Sequence, residues 1–275
     1  MKTDDRNIQP DKWDFYYSKN KRIINTFKLI DALIYLWFES SKIFSKYINT
    51  NKKIKFIEFG CGGGNFLPYF NKKYDNFEIF GIDISSVGCK ITLQRINDNV
   101  PPSNIICDDI FKKDFQTQFD ISFSVGFIEH FDDPSIPLKK HVDVLKKDGI
   151  MLLAIPNLTG LQGKIFKSKI WFSKEKWEKK PKDWIFGMRD ISVKQFEKWC
   201  KSAGLKDIEI HPAGGFLPTY LIDSLITKKN SKIKSAQIIN RYALLPILIL
   251  LNIPFLFRIN SYKFSPYIIG VGKKQ

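Results

Sequence analysis

An α/β fold with a largely parallel sheet is predicted, and three observations predict it. The β-forming run Phe56-Ile57-Glu58-Phe59 falls directly into Gly60-Cys61-Gly62-Gly63-Gly64, after which Asn65-Phe66-Leu67 opens a helical pattern. A second run, Phe77–Ser85, carries an acid, Asp83, near its end. Further short β-forming runs at 104–107, 119–125 and 150–155 are separated by helical segments, as in successive βαβ units. Folds of this kind bind ligands outside the carboxyl ends of their strands, so a small cofactor is expected there.

Taken in order, residues 1–20 are polar except for the cluster Trp13-Asp14-Phe15-Tyr16-Tyr17. A helix is predicted from Arg22 to Tyr47, because Ile23, Phe27, Ile30, Leu33, Ile34, Trp37, Ile43 and Phe44 recur at three- and four-residue intervals. In the first strand the apolar run is broken only by Glu58, as in a strand buried on both faces. The glycines after it permit positive φ and let backbone N–H groups approach a ligand. A dinucleotide fingerprint would need a third glycine where Leu67 stands, so the spacing excludes that class. A tight turn without a ligand is the alternative for the glycine run taken alone.

The carboxylate of Asp83 ends the second strand, where it can accept two vicinal hydroxyls, or it can cap the following helix. Ser85 or Ser86 is the expected N-cap of that helix. The short third strand, 104–107, leads to Asp108-Asp109-Ile110-Phe111. The fourth, Phe119–Val125, leads to Gly126-Phe127-Ile128-Glu129-His130-Phe131-Asp132-Asp133-Pro134. Next come a helix from Ser135 to Lys147, a turn at Lys147-Asp148-Gly149 and a strand from Ile150 to Ile155. Beyond Pro156-Asn157-Leu158-Thr159-Gly160, a helix over Ser192–Ala203 is closed by Gly204 and followed by a strand over Leu205–Ile210. Tyr267–Gly272 reads as the last strand.

The acid followed by G-x-G-x-G over Glu58–Gly64 resembles motif I of the class I S-adenosylmethionine (SAM) methyltransferases. The segment Gly126–Pro134 resembles the stretch after strand four in their small-molecule members, including the ubiquinone-biosynthesis O-methyltransferase branch. The resemblance covers roughly residues 55–160. It implies a Rossmann-like seven-stranded sheet in the order 3-2-1-4-5-7-6 with an antiparallel last strand, an N-terminal helical lid and C-terminal cap insertions. SAM is the implied cofactor, held by Glu58, Gly60, Cys61, Gly62 and Gly64, with Asp83 and Ile84 at the ribose. Asp109 and Ile110 fall at the adenine, although Asp108 replaces the usual glycine and leaves open which carboxylate points inward. Val125 completes the expected cofactor wall. His130 is the candidate general base; bracing its loop is the alternative. Tyr16 or Tyr17 closing over the cofactor competes with simple packing of the N-terminal helix. Some quinone O-methyltransferases hold a metal with a glutamate three residues before the Glu-His pair; that position is Gly126 here, so no metal is expected.

The implied domain plan is a lid over 1–50, a SAM-binding domain over 51–212 and 264–275 with a basic aromatic insertion at 160–190, and a cap over 213–263. Its activity would be methyl transfer to a small-molecule or lipid-like acceptor, at oxygen. The alternatives are an RNA methyltransferase or a membrane-associated SAM-fold protein without catalysis. Neither the Asn/Asp-Pro-Pro-aromatic clamp of base-amine methylation nor a Pro-Cys nucleophile is found in the chain.

Charge is unevenly distributed. The chain carries 44 Lys+Arg and 28 Asp+Glu, a net +16. Residues 51–155 contribute 13 basic and 14 acidic groups, whereas 156–275 contribute 22 and 8. An anionic partner for the last part is indicated, with a membrane surface favoured over nucleic acid. Lysines and tryptophans interleave from Gly163 to Trp184, and Ala243–Phe257 is an uncharged stretch flanked by Arg241 and Arg258. At 15 residues, with Pro246 and Pro254 inside, it falls short of the ~20 that a spanning helix needs. The N-terminus is too polar for a signal peptide, and Cys61, Cys89, Cys107 and Cys200 form no C-x-x-C pair. A reduced, cytoplasmic chain, peripheral to the inner face of the membrane if it meets one, is the resulting expectation. Nothing in the pattern indicates an oligomeric state.

Overall fold

The computed structural model describes residues 10–26, 46, 52–96, 99–115, 118–161, 163–164, 184–185, 188–213 and 260–275. It is a doubly wound sheet. Strand β1 (Ile54–Phe59) is followed by helix α2 (Leu67–Lys73), β2 (Phe77–Asp83), α3 (Ser86–Arg95), β3 (Ile105–Cys107) and β4 (Phe119–Val125). Then come α4 (Ser135–Asp143), β5 (Leu145–Pro156), α5 (Val193–Ser202), β6 (Leu205–Ala213) and β7 (Tyr267–Lys274), with α1 (Pro10–Thr26) ahead of them all. The sheet runs 3-2-1-4-5-7-6, as the family resemblance implies. Pairings among β1 to β5 are parallel, and β7 lies antiparallel to both β5 and β6.

The central strand explains the layering. Successive side chains of β1 point to opposite faces. Phe56 joins Phe70, Phe77 and Phe123 beneath α2, whereas Ile57 and Phe59 join Leu138, Met151 and Phe196 beneath α4 and α5. A strand covered on both faces has no use for alternating polar residues, and from Phe56 to Phe59 every residue is buried, Glu58 included.

Several boundaries differ from expectation. Helix α1 starts at Pro10 rather than Arg22; proline suits a first turn, and Asp11 faces the positive end of the helix dipole. Of the predicted Arg22–Tyr47 helix, 27–45 and Tyr47 lie outside the described residues. Helix α4 stops at Asp143 rather than Lys147, because buried Leu145 pairs with Phe119 to begin β5 early. The segment 147–149, expected as a turn, therefore lies inside a strand instead of preceding one. The register shifts there, with Asp148 at φ 60°. Strand β6 also runs three residues past Ile210, held along its length by β7.

Within the predicted insertion at 160–190, a short antiparallel ribbon joins Trp184–Ile185 to Met188–Arg189. The remainder of that insertion and most of the 213–263 cap lie outside the described residues. No described helix is long and apolar enough to cross a membrane.

Candidate functional site

The glycine loop between β1 and α2 is held from two directions. The Ile82 carbonyl accepts the N–H groups of Gly60 (2.8 Å) and Cys61 (3.2 Å), and Asp83 accepts that of Gly62 (2.8 Å). From α3, Thr92 donates to the Gly62 carbonyl at 2.6 Å, and Arg95 donates to that of Gly63 at 2.8 Å. Gly60, Gly62 and Gly64 all have positive φ, which a side chain would strain. The space around them is also filled by protein. A Cβ at Gly60 would strike the Phe127 ring, one at Gly62 the Tyr17 hydroxyl, and one at Gly64 the backbone and side chain of Thr92.

Around this loop the carboxyl ends of β1 to β4 enclose a cavity of about 170 Å³. Glu58, Gly60, Cys61, Gly62, Asp83, Ile84, Asp109, Ile110, Val125 and His130 all line it. Gly64 does not; it closes the loop, its N–H donating to the Cys61 carbonyl at 2.9 Å. Both Asp108 and Asp109 reach the wall. Asp109 is the buried one, with Oδ1 accepting the Phe111 N–H at 2.9 Å, while half-buried Asp108 accepts the Asp109 N–H at 2.7 Å.

Two buried carboxylates dominate the electrostatics. Glu58 is pushed well above the usual carboxylate range by burial and by the Asp83 charge; the Leu67 N–H opposes the shift. Its Oε2 has no hydrogen-bond partner among the described residues. Burial raises Asp83 to about 6, opposed by the N–H groups of Ser85 and Gly62. A cationic occupant would favour the ionised form of both groups.

Helix α1 forms one wall, and of the two tyrosines expected to close over the cavity, Tyr17 is the one that lines it. Lys12, Trp13 and Tyr17 line the cavity. The Tyr17 ring occupies a slot between Gly62 and Gly88, where a Cβ on either glycine would meet it. Asp14 accepts hydrogen bonds from Ser85 Oγ (2.5 Å), Ser86 Oγ (3.1 Å) and the Val87 N–H (3.1 Å), so it caps α3 from outside the helix. These contacts hold its carboxyl below the usual range, the Ser85 bond most of all. Ser85 is the N-cap within the chain, accepting the Gly88 N–H at 3.0 Å. The signal for the slot was Gly88 itself: a glycine inside a helix costs about 1 kcal/mol relative to alanine and marks a close approach.

His130 sits on the rim, its ring edge-to-face with Trp13 at 5.1 Å. Its neighbour Glu129 is 1% exposed, with neither carboxylate oxygen hydrogen-bonded among the described residues, and burial pushes it up to about 8. Behind the rim, His141 stacks on Phe59 at 4.2 Å, and burial lowers it to about 3. His211 lies away from the cavity, beside Glu209 at 3.2 Å.

Residues 31–210 match the model of a methyltransferase domain family. Malonyl-[acyl-carrier protein] O-methyltransferase of Priestia megaterium (strain DSM 319 / IMG 1521) is 26% identical over 104 residues, 38% of this chain. The match spans only 37% of that relative's length. Among solved structures, the plantazolicin methyltransferase BpumL, in complex with a triazolic desmethylPZN analog and SAH, superposes with a TM-score of 0.59 at 17% identity over 97% of this chain and 94% of that one. A SAM-dependent methyltransferase of Thermotoga maritima, described as a possible histamine N-methyltransferase, gives 0.56 at 16% identity over 94% and 98%. At these identities the structural likeness speaks for the fold.

Proposed function

The chain belongs to the methyltransferase domain family, and from that premise we propose that it transfers the methyl group of SAM to an oxygen of a small-molecule or lipid-like acceptor. One observation carries the cofactor assignment. The cavity presents buried Glu58 and Asp83, with a Glu58 Oε2 that has no hydrogen-bond partner among the described residues, beside a loop of three positive-φ glycines. That donor set fits a ligand with an ammonium, a sulfonium and a ribose. Glu58 and the loop would hold the amino-acid end, Asp83 and Ile84 the ribose, and Asp109 with Ile110 the adenine. When bound, SAM supplies an electrophilic methyl group on sulfur.

The chain's own part is positioning, exclusion of water and handling of one proton. Tyr17 and Trp13 cover the cavity from α1, so that α1 serves as the lid. His130, on the rim, takes the proton of an acceptor hydroxyl as the oxygen attacks. The O-methyltransferase activity named for the Priestia megaterium relative supports oxygen as the accepting atom. The anionic partner of residues 156–275, carrying 22 basic and 8 acidic groups, is a membrane surface from which an apolar acceptor is drawn.

Incubation with methyl-labelled SAM and a metabolite and lipid extract, followed by mass spectrometry, tests the whole reading. A labelled ether or ester is expected; label on nitrogen would overturn the oxygen assignment, and calorimetry showing no SAM binding would overturn the cofactor. His130→Ala should lower turnover roughly 10²–10⁴-fold with SAM affinity nearly intact. Parallel loss of SAM binding and thermal stability would make His130 a loop brace instead.

A further inference from the structure

The amino-terminal edge of the sheet carries a second cavity. The six residues of β1, roughly 20 Å of strand, separate it from the glycine loop. Phe119 pairs with Leu145 and Ile121 with Ile150, so four residues of β5, Lys146 to Gly149, stand against Asp120 alone. Such a bulge bends its strand out of the ladder. Lys146 folds back onto Asp120 Oδ1 at 2.7 Å, while Asp120 Oδ2 accepts the Lys55 N–H at 2.8 Å. Between the bulge and the start of β1 lies a hollow of about 340 Å³, against about 170 Å³ for the cavity at the opposite edge. Buried Ile54, Ile121 and Ile150 line it, together with Lys46, Lys52, Lys53, Lys147 and Lys273.

Positive charge is left over in this hollow. Its two acids are already engaged: Asp120 as above, and Asp148 by Lys206 at 2.7 Å, with Lys147 and Lys273 bearing on the Asp148 charge from farther off. Lys46 pairs with Glu209, and Lys273 lies 3.6 Å from Asp207. Lys52, Lys53 and Lys147 form no ion pair among the described residues. Like charges gathered around a concave surface raise the local concentration of anions. Among the described lining residues there is no arginine, hence no planar fork for a carboxylate, and ammonium groups act as point charges from several directions. Three such groups exceed the single charge of a carboxylate and suit a phosphate monoester, which carries about −1.5 to −2 at neutral pH. The same lining holds no aromatic ring on which the bases of a single-stranded nucleic acid could stack. We propose that this cavity is a second binding site, for a phosphate monoester or polyphosphate group on a free metabolite or a lipid headgroup, held by Lys52, Lys53 and Lys147. It stands apart from the proposed function, because none of its residues lines the cofactor cavity.

The isotope-labelled full-length chain is titrated with inorganic phosphate and with pyrophosphate at fixed ionic strength, and its amide resonances are followed. Saturable shifts are expected at 52–54 and 146–150, with pyrophosphate saturating at the lower concentration because it carries more charge. Shifts that grow without saturation, or that spread evenly over the lysines of the chain, would overturn the site. Lys52→Gln, Lys53→Gln and Lys147→Gln combined should weaken pyrophosphate about tenfold, with thermal unfolding unchanged. Should that variant unfold, Lys147→Gln alone should still weaken it about twofold; an unchanged dissociation constant in a folded variant removes these lysines from any site. Flotation with phosphatidylcholine vesicles carrying phosphatidic acid, a monoester, or phosphatidylglycerol, a diester, separates the two sources. Retention by phosphatidic acid alone, lost in the combined variant, assigns a lipid headgroup. Saturable pyrophosphate binding, with flotation indifferent to the substitutions, assigns a free phosphate ligand. A single-stranded oligonucleotide that displaces pyrophosphate and binds more tightly would overturn the proposal in favour of nucleic acid.

Discussion

Asp83 was expected to serve the ribose, yet each of its oxygens already accepts a backbone N–H, from Gly62 at Oδ2 and from Ser85 at Oδ1. A carboxylate oxygen has two lone-pair directions, so bracing the loop and accepting a ligand hydroxyl are compatible. Its placement near pH 6 makes this testable. Above that pH the group is ionised and favours a cationic ligand. SAM affinity should therefore rise about tenfold between pH 5 and 7 and then level off. Asp83→Asn should bind more weakly and show a flat profile by calorimetry. A flat wild-type profile would take Asp83 away from the ligand.

Helix α1 was expected as a lid, but its contacts lie earlier in the chain than its helical pattern suggested. Periodicity pointed to the apolar run after Arg22, whereas the residues that touch the site are Lys12, Trp13, Asp14 and Tyr17 on its first two turns. Asp14 supplies acceptors for orphan N–H and hydroxyl groups at the start of α3, so its loss should cost on the order of 1 kcal/mol. Asp14→Ala should raise amide exchange across residues 10–26 and weaken SAM binding, leaving exchange in β1 and β4 unchanged. Gly88→Ala is a sharper probe. It improves helix propensity by about 1 kcal/mol but sets a methyl 3.1 Å from the Tyr17 ring and 3.2 Å from the Gly62 Cα. It should therefore expel Tyr17 while α3 stays folded. Unaltered exchange over 10–26 in both variants would remove the latch.

Across the whole molecule, buried groups set the pH range of stability. Glu129 is raised from 4.5 to about 8, so the folded chain holds a proton that the unfolded chain releases; stability falls as pH rises from 4.5 through 8. His141 is lowered from 6.5 to about 3, so the unfolded chain binds the extra proton; stability falls as pH drops from 6.5 toward 3. Glu58 and Asp83, also raised by burial, add to the Glu129 slope, so the His141 slope offsets only part of the decline between 4.5 and 6.5. Urea unfolding from pH 4 to 8.5 should show stability falling toward alkaline pH, with Glu129→Gln making the decline shallower. A decline of unchanged slope in Glu129→Gln would locate its cause elsewhere. The same scale carries the charge asymmetry. Association with anionic liposomes should weaken, without vanishing, at high salt, since a basic surface is screened and an inserted apolar face is not. Absence of flotation at low salt would end the membrane proposal.

The strands themselves, the glycine loop and the acids at the ends of β1, β2 and β3 were legible in the sequence, while the strand order came with the family resemblance. The first three are written in local chemistry: a doubly buried strand reads as an apolar run, positive φ selects glycine, and a carboxylate at a strand end keeps its place in the register. Only the tertiary structure decided the rest. It set Tyr17 between Gly62 and Gly88 and turned Asp14 into the cap of a helix far along the chain. It also left Glu129 and His141 without solvent, although nothing in either residue's neighbours foretells a shifted proton affinity. Burial and contact are sums over segments remote in sequence, and a linear pattern records what each segment favours, not what arrives beside it.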